Sequence, residues 1–191
     1  MREVTVHLVR HGQSTWNVER RLQGQIAHPP LTEQGRVDAM RAAHTLRERL
    51  GDQGARLLTS DLQRARQTAA IIAEHLGLVA RATAALREQH LGDMQGRLTS
   101  ELRPEPTPEG AHVSEVRWGG GESLQDVAAR LTAFFDATLP TLERDHLILV
   151  THGDTLRVAR AVLAGRTHRD VDWDVVPNGA VSTIKVTAPS P

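Results

Sequence analysis

The chain contains no cysteine. That excludes a disulfide framework, a thiol nucleophile, iron–sulfur ligation and Cys-based zinc sites. Tyrosine is absent too, and there are only two Phe and three Trp, so stacking platforms for nucleobases are poorly supplied. Lysine is reduced to Lys185; the other 22 basic residues are arginine. Neither sign of charge dominates, with 23 basic residues against 23 acidic ones. This balance argues against nucleic-acid binding and against an acidic tail. No stretch reaches the roughly 18 apolar residues that a membrane-spanning helix needs. The start, Met1-Arg2-Glu3, lacks the apolar run of a secretory signal. A soluble, cytoplasmic protein with no nucleic-acid or membrane partner is expected; composition leaves the oligomeric state open.

A chain of 191 residues can bury roughly 70% of its unfolded surface without a staple. A single domain over residues 1–191 is expected. Glu3 to Arg10 reads as a strand, ended by His11-Gly12. From Leu31 to Leu50 the period turns helical, with Val37, Met40, Ala43, Leu46 and Leu50 on one face. Arg56 to Ser60 is a short strand, and Asp61 is placed to cap a helix running to Leu76. A further short strand is expected within Leu78 to Leu86, and residues 97–121 read as a loop-like, substrate-side insertion with Pro104, Pro106 and Pro108. Ser123 caps a helix with Leu124, Val127, Leu131, Phe134 and Phe135 inward. Leu147 to Thr151 is an apolar strand ended by His152-Gly153, followed by a helix from about Thr155 to Leu163. Asn178-Gly179 is a turn, Val181 to Val186 a last strand, and Pro189 to Pro191 a short tail. Strands alternating with helices predict a three-layer α/β sandwich: a mainly parallel central sheet with helices on both faces.

In such sheets ligands gather beyond the carboxyl ends of the strands. The polar residues of this chain fall there. One strand ends Arg10-His11-Gly12, another Thr151-His152-Gly153, a third Ser60-Asp61 with Arg64 just beyond, and Glu88 follows the next. Glycine after each histidine lets backbone approach a ligand. Arg10 and Arg64 can grip an oxyanion bidentately, and a helix start near Asp61 adds partial positive charge. Taken singly, a His-Gly pair is commonly a turn, Arg64 a solvated helix residue and Glu88 a surface charge. Their coincidence at one edge of one sheet points to an anion with several oxygens, phosphate being the commonest. Ten histidines raise a zinc or manganese site as competitor, with Asp154 and Glu88 as possible ligands. Against it, no HExxH pair exists and each strand-end histidine is flanked by arginine or threonine. His7, His28, His44, His75, His146 and His168 read as surface or core residues, and His90 and His112 as neighbours of the rim.

The run Leu8-Val9-Arg10-His11-Gly12-Gln13-Ser14-Thr15-Trp16-Asn17 resembles the signature of the histidine phosphatase superfamily, which includes the cofactor-dependent phosphoglycerate mutases. The resemblance continues through Arg21 to Gln25, Pro30-Leu31-Thr32, Ser60 to Ala69, Leu86 to Gly92 with Gln95-Gly96, Gly120 to Leu124, and Val150 to Asp154. These segments follow the family's order across residues 4 to about 186.

The resemblance implies a role for each residue. His11 would be the nucleophile that takes the phosphoryl group, with adjacent arginines lowering its proton affinity. Arg10, Arg64 and His152 would contact the transferring oxygens, and Asn17 would add a neutral donor. Ser14, Gln23, Gly24 and Gly153 would complete the phosphate and substrate contacts. Glu88 would protonate the leaving oxygen and later deprotonate water. No metal and no cofactor would be needed. The partner would be a small phosphorylated metabolite. The chain departs from the family at Ile26-Ala27-His28-Pro29-Pro30, where an acidic residue is usual, and at Leu91, where the mutases carry an aromatic. Its segment from Arg97 to Trp118 is short and carries only Arg97, Arg103 and Arg117 as bases. The expected activity is metal-independent phosphomonoester hydrolysis through a phosphohistidine. The alternatives are a cofactor-dependent phosphoglycerate mutase and a phospho-ligand binding module without turnover.

Overall fold

The computed structural model describes residues 1–103 and 106–189; Pro104 and Pro191 lie outside the described residues. Among the described residues, the strands are β1 (Arg2–Arg10), β2 (Ala55–Ser60), β3 (Ala80–Thr83), β4 (His146–Thr151) and β5 (Val181–Ala188). They form one sheet in the order β3-β2-β4-β1-β5. The first four run parallel, and β5 lies antiparallel to β1 at the margin. The helices are α1 (Thr15–Val18), α2 (Glu33–Leu50), α3 (Gln63–Leu76), α4 (Leu124–Thr138) and α5 (Gly153–Leu163).

Side chains alternate across β1 and β4, so each strand feeds two cores. Val9, Ile148 and Val150, with Leu57 of β2, pack against Ala42, Ala43 and Leu46 of α2 and Ala65, Ala69 and Ile72 of α3. Val4, Val6, Leu8, Leu147 and Leu149 pack on the other face against Leu131 and Phe135 of α4 and Leu156 and Val158 of α5. The architecture is therefore the expected three-layer sandwich with a mainly parallel sheet. Among the described residues no helix is long and apolar enough to cross a membrane.

Three local expectations are corrected. Val37 and Met40 are 52% and 41% exposed, not inward. The buried stripe of α2 runs through Ala39, Ala42, Ala43, Leu46 and Leu50; small alanines let the helix lie close to the sheet and α3, which periodicity of the larger apolar residues misplaces. Asp61 does not cap α3, whose N-cap is Leu62 with no side-chain cap bond. Its carboxylate is held instead by Arg87 in a two-bond pair at 2.8 and 2.6 Å. Helix α5 begins at Gly153, not near Thr155, with His152 as N-cap. That places two further backbone N–H groups at the carboxyl edge of the sheet. Among the described residues between 97 and 121 there are isolated 3-10 turns at Thr99–Glu101, Val113–Glu115 and Trp118–Gly120 and an isolated bridge from Leu98 to Arg21.

Candidate active site

Strand register builds the centre of the site. Arg10 pairs with Thr151 across β1 and β4, and the His11 amide donates to the Thr151 carbonyl at 2.9 Å. His11 and His152, each one residue further along, therefore meet beyond the sheet. Their ring centroids lie 5.1 Å apart at 61°, and both rings are buried. His11 Nδ1 sits 2.7 Å from the Gly12 carbonyl oxygen. A carbonyl only accepts, so Nδ1 carries the proton and Nε2 is left as the free lone pair. Burial first, then the charges of Arg64 and Arg10, hold the His11 imidazole well below its usual pKa. Its neutral form is thus maintained, with desolvation ahead of the arginines that the sequence suggested.

Arg64, on the first turn of α3, is 1% exposed. Its Nη1 and Nη2 donate to the carbonyls of Ile26 and Gly24 at 2.9 and 2.8 Å. Burial pushes it down to about 10, so it remains a cation at neutral pH. Arg10 donates through Nη1 to the Val176 carbonyl. The Nε atoms of Arg10 and Arg64 and the Nδ1 of His152 are buried with no protein partner among the described residues. Buried donors are nearly always paired. Three orphans in one cluster make it a candidate receptor for an anion with several oxygens.

Glu88 approaches from the segment after β3. Its Oε1 accepts from the Thr155 amide at 2.9 Å and contacts the Thr155 hydroxyl at 3.1 Å, and its Oε2 accepts from the Asp154 amide at 3.2 Å. The carboxylate thus sits on the amino end of α5, where the helix dipole favours negative charge. It is close enough to Arg10 and Arg64 to stabilise both as cations. The Asp154 carboxyl is raised, by burial first and by the Glu88 charge second, with Arg157 opposing from 2.8 Å.

The remaining expected residues divide. Asn17 Oδ1 accepts from the Ser14 amide at 2.9 Å and the Asn178 amide group at 3.3 Å, leaving its Nδ2 hydrogens without a protein acceptor among the described residues. Ser14 is fully buried; its hydroxyl caps α1 and contacts Gln23 Oε1 at 2.8 Å, so it fixes Asn17 and Gln23 in place. Gly24 takes a φ of +47°, and a Cβ there would lie 2.3 Å from Gln95 Oε1. Gly153 would accept a Cβ in ordinary contact with Arg157 and Arg10. At Gly12 the reason for glycine differs from that expected: a Cβ would fall 2.1 Å from the Gly35 carbonyl oxygen. The close approach there is to α2, not to a ligand.

Several residues of the site were not singled out from sequence. Ser60 holds His152, Thr155 holds Glu88, and Asn178 donates to the His11 carbonyl at 3.0 Å. Arg130 pairs with Glu122 at 3.1 Å and donates to the carbonyls of Ala85 and Arg87, fixing the backbone that carries Glu88. Ser60 and Glu122 lie inside recognised motifs, which was the available signal. Thr155, Arg130 and Asn178 carry none.

The chain is also similar to known proteins in sequence and in fold. The chain is 36% identical over 170 residues to the probable phosphoglycerate mutase GpmB of Yersinia pestis, covering 84% of this chain and 74% of the relative. It superposes on a mycobacterial glucosyl-3-phosphoglycerate phosphatase with a TM-score of 0.77 at 32% identity, covering 96% of this chain and 91% of the other. That phosphatase is also known in complex with VO3 and with inorganic phosphate. Bacillus stearothermophilus YhfR superposes with a TM-score of 0.79 at 29% identity, over 98% and 93% of the two chains. Residues 6–191 match the histidine phosphatase superfamily (branch 1), to which this chain belongs.

Proposed function

We propose that the protein is a phosphomonoester hydrolase that works through a phosphohistidine on His11 and acts on a small phosphorylated metabolite. The observation that carries this reading is the neutral His11, its Nε2 free, beside three buried donors that lack protein partners. His11 Nε2 attacks phosphorus while the bond to the ester oxygen breaks. Arg10, Arg64, His152 and the Nδ2 group of Asn17 stabilise the charge that spreads over the three phosphoryl oxygens. Glu88 gives its proton to the departing oxygen and takes one from the water that then attacks phosphorus. Phosphate leaves and His11 is restored. These side chains supply the charge stabilisation that a metal ion provides elsewhere, so the reaction is expected to persist under exhaustive chelation. Binding of VO3 and phosphate by the related phosphatase supports an oxyanion ligand.

Mutase activity is the second reading, favoured by the 36% identity to a probable phosphoglycerate mutase. A mutase must hold a second anionic group and keep water from the phosphohistidine. Residues 97–121, proposed here as the substrate-facing segment, offer three arginines, and Arg117 is already paired with Asp126 at 2.7 Å. Hydrolysis is therefore expected to win. The test measures phosphate release and isomerisation of 3-phosphoglycerate, with 2,3-bisphosphoglycerate added, on one preparation. Isomerisation tenfold faster than release, about 1.4 kcal/mol in relative barriers, replaces the hydrolase reading. Acid quenching during turnover should trap an acid-labile phosphoryl group in the wild type and none in His11→Ala. A binding module without turnover is the outcome if neither reaction occurs.

A further inference from the structure

We infer that Ser60 is a positioning residue for His152: its hydroxyl donates to His152 Nε2 and so fixes the ring proton on Nδ1, the nitrogen without a protein partner. The inference rests on the reading of this cluster as a phosphoryl site, and it identifies which atom of His152 serves there.

The argument is a count of donors and acceptors. Ser60 Oγ lies 2.8 Å from His152 Nε2, and both residues are fully buried. Ser60 Oγ also receives the Leu62 amide at 3.3 Å. A hydroxyl has one proton to give and two lone pairs. If Ser60 donates to Nε2, the Leu62 amide, the hydroxyl proton and the Nε2 lone pair are all satisfied. Nδ1 then carries the proton, and it is the single group left over. If Nε2–H donated instead, the Ser60 proton would have no acceptor among the described residues, and Nδ1 would be a buried lone pair with no donor. A doubly protonated ring would likewise strand the Ser60 proton, and would place a second buried cation beside Arg64 and Arg10. Burial first, then Arg64, His11 and Arg10, hold the ring well below its usual pKa, which agrees with a neutral ring. A buried donor or acceptor left without a partner is costlier than one that is paired, and the difference decides between tautomers.

The consequence is chemical. His152 serves as a neutral Nδ1–H donor beside the two arginines, with its direction set before substrate arrives.

The test reads the tautomer directly. Long-range 1H–15N correlation on the labelled protein, with His152→Gln used only for assignment, should show His152 as the neutral Nδ1–H form between about pH 6 and 8, with and without vanadate. In Ser60→Ala the ring should shift toward Nε2–H, and kcat on a phosphomonoester should fall on the order of 10²-fold, the scale of losing one charge-stabilising donor. Ser60→Thr should keep both the tautomer and the rate. An Nε2–H or imidazolium ring in the wild type overturns the inference. So does a Ser60→Ala protein with an unchanged ring spectrum. If Ser60→Ala does not fold, the wild-type spectrum decides alone. That spectrum needs no turnover, so failure of the hydrolase reading would appear separately, as absent phosphate release with the tautomer as stated.

Discussion

At the scale of single residues, the division of labour around Glu88 makes a sharp expectation. A general acid matters only when the departing oxygen needs its proton. Glu88→Gln should therefore slow alkyl phosphates by roughly 10² to 10⁴ while leaving activated aryl phosphates nearly unchanged. Parallel kinetics on the two ester types check it; equal losses on both would move the role to the neighbouring Asp154. Thr155→Val tests the support beneath Glu88. The Thr155 hydroxyl lies 2.8 Å from the Arg87 carbonyl and 3.1 Å from Glu88 Oε1, so removing it takes one contact from each, while Arg130 still donates to the Arg87 carbonyl and the Thr155 amide to Oε1. A loss of about 0.5–1.5 kcal/mol in urea denaturation is expected. The clustering of Arg10, His11, Arg64, Glu88 and His152 was legible because strand ends and motif order place such residues together. Thr155, Arg130 and Asn178 were not. A buried hydroxyl or a paired arginine looks the same in sequence wherever it sits, and only tertiary contact assigns its partner.

Among the elements, the first loop meets α2 backbone on backbone. Gly12 faces the Gly35 carbonyl, and a Cβ at Gly35 would in turn fall 2.0 Å from the Gln13 carbonyl oxygen. Backbone on backbone leaves no side chain to yield. Gly12→Ala and Gly35→Ala should each destabilise by about 1–3 kcal/mol or more, as overpacking does. Gly12→Ala should also lower activity by displacing His11, measured as phosphate release by the folded fraction. The number, kind and order of strands and long helices were readable from period and punctuation. The corrections have separate causes. The inward face of α2 is lined by Ala39, Ala42 and Ala43, whose size carries little signal. Asp61, an ordinary capping residue by sequence, found a stronger partner in Arg87, 26 residues away.

For the whole molecule, acid should loosen the fold before it titrates any surface carboxylate far from its usual range. His7 and His146 stack at 5.3 Å on the α2 side of the sheet, in a chain running from Thr183 through both rings to Gln53. Burial first, then His146 and Arg49, push His7 from 6.5 down to about 4, and burial lowers His146 as well. A ring whose pKa is depressed by folding favours the folded state above the unfolded pKa. Below about pH 6.5 the unfolded chain takes up a proton that the folded chain refuses, so stability falls toward pH 4, by up to about 1.4 kcal/mol per pH unit for each such ring. Thermal melting across that window should show the slope, and His7→Gln should reduce it. A His7→Gln protein with the wild-type slope would assign the effect to the other lowered rings, His11, His146 and His152.

The strand order has a consequence for how the molecule comes to exist. β1 is made first, yet both its neighbours, β4 and β5, are made last: Thr5 pairs with His146 and Lys185. During synthesis at roughly 5–20 residues per second, this apolar strand waits on the order of ten seconds with both edges open. Helices α2 and α3 can form meanwhile, but they have no central sheet to cover. The site shares the delay, since Arg10 and His11 are present from the outset while His152 arrives only with β4. A nascent chain stopped short of that strand would carry half of each and present β1 to whatever strand or chaperone is nearest.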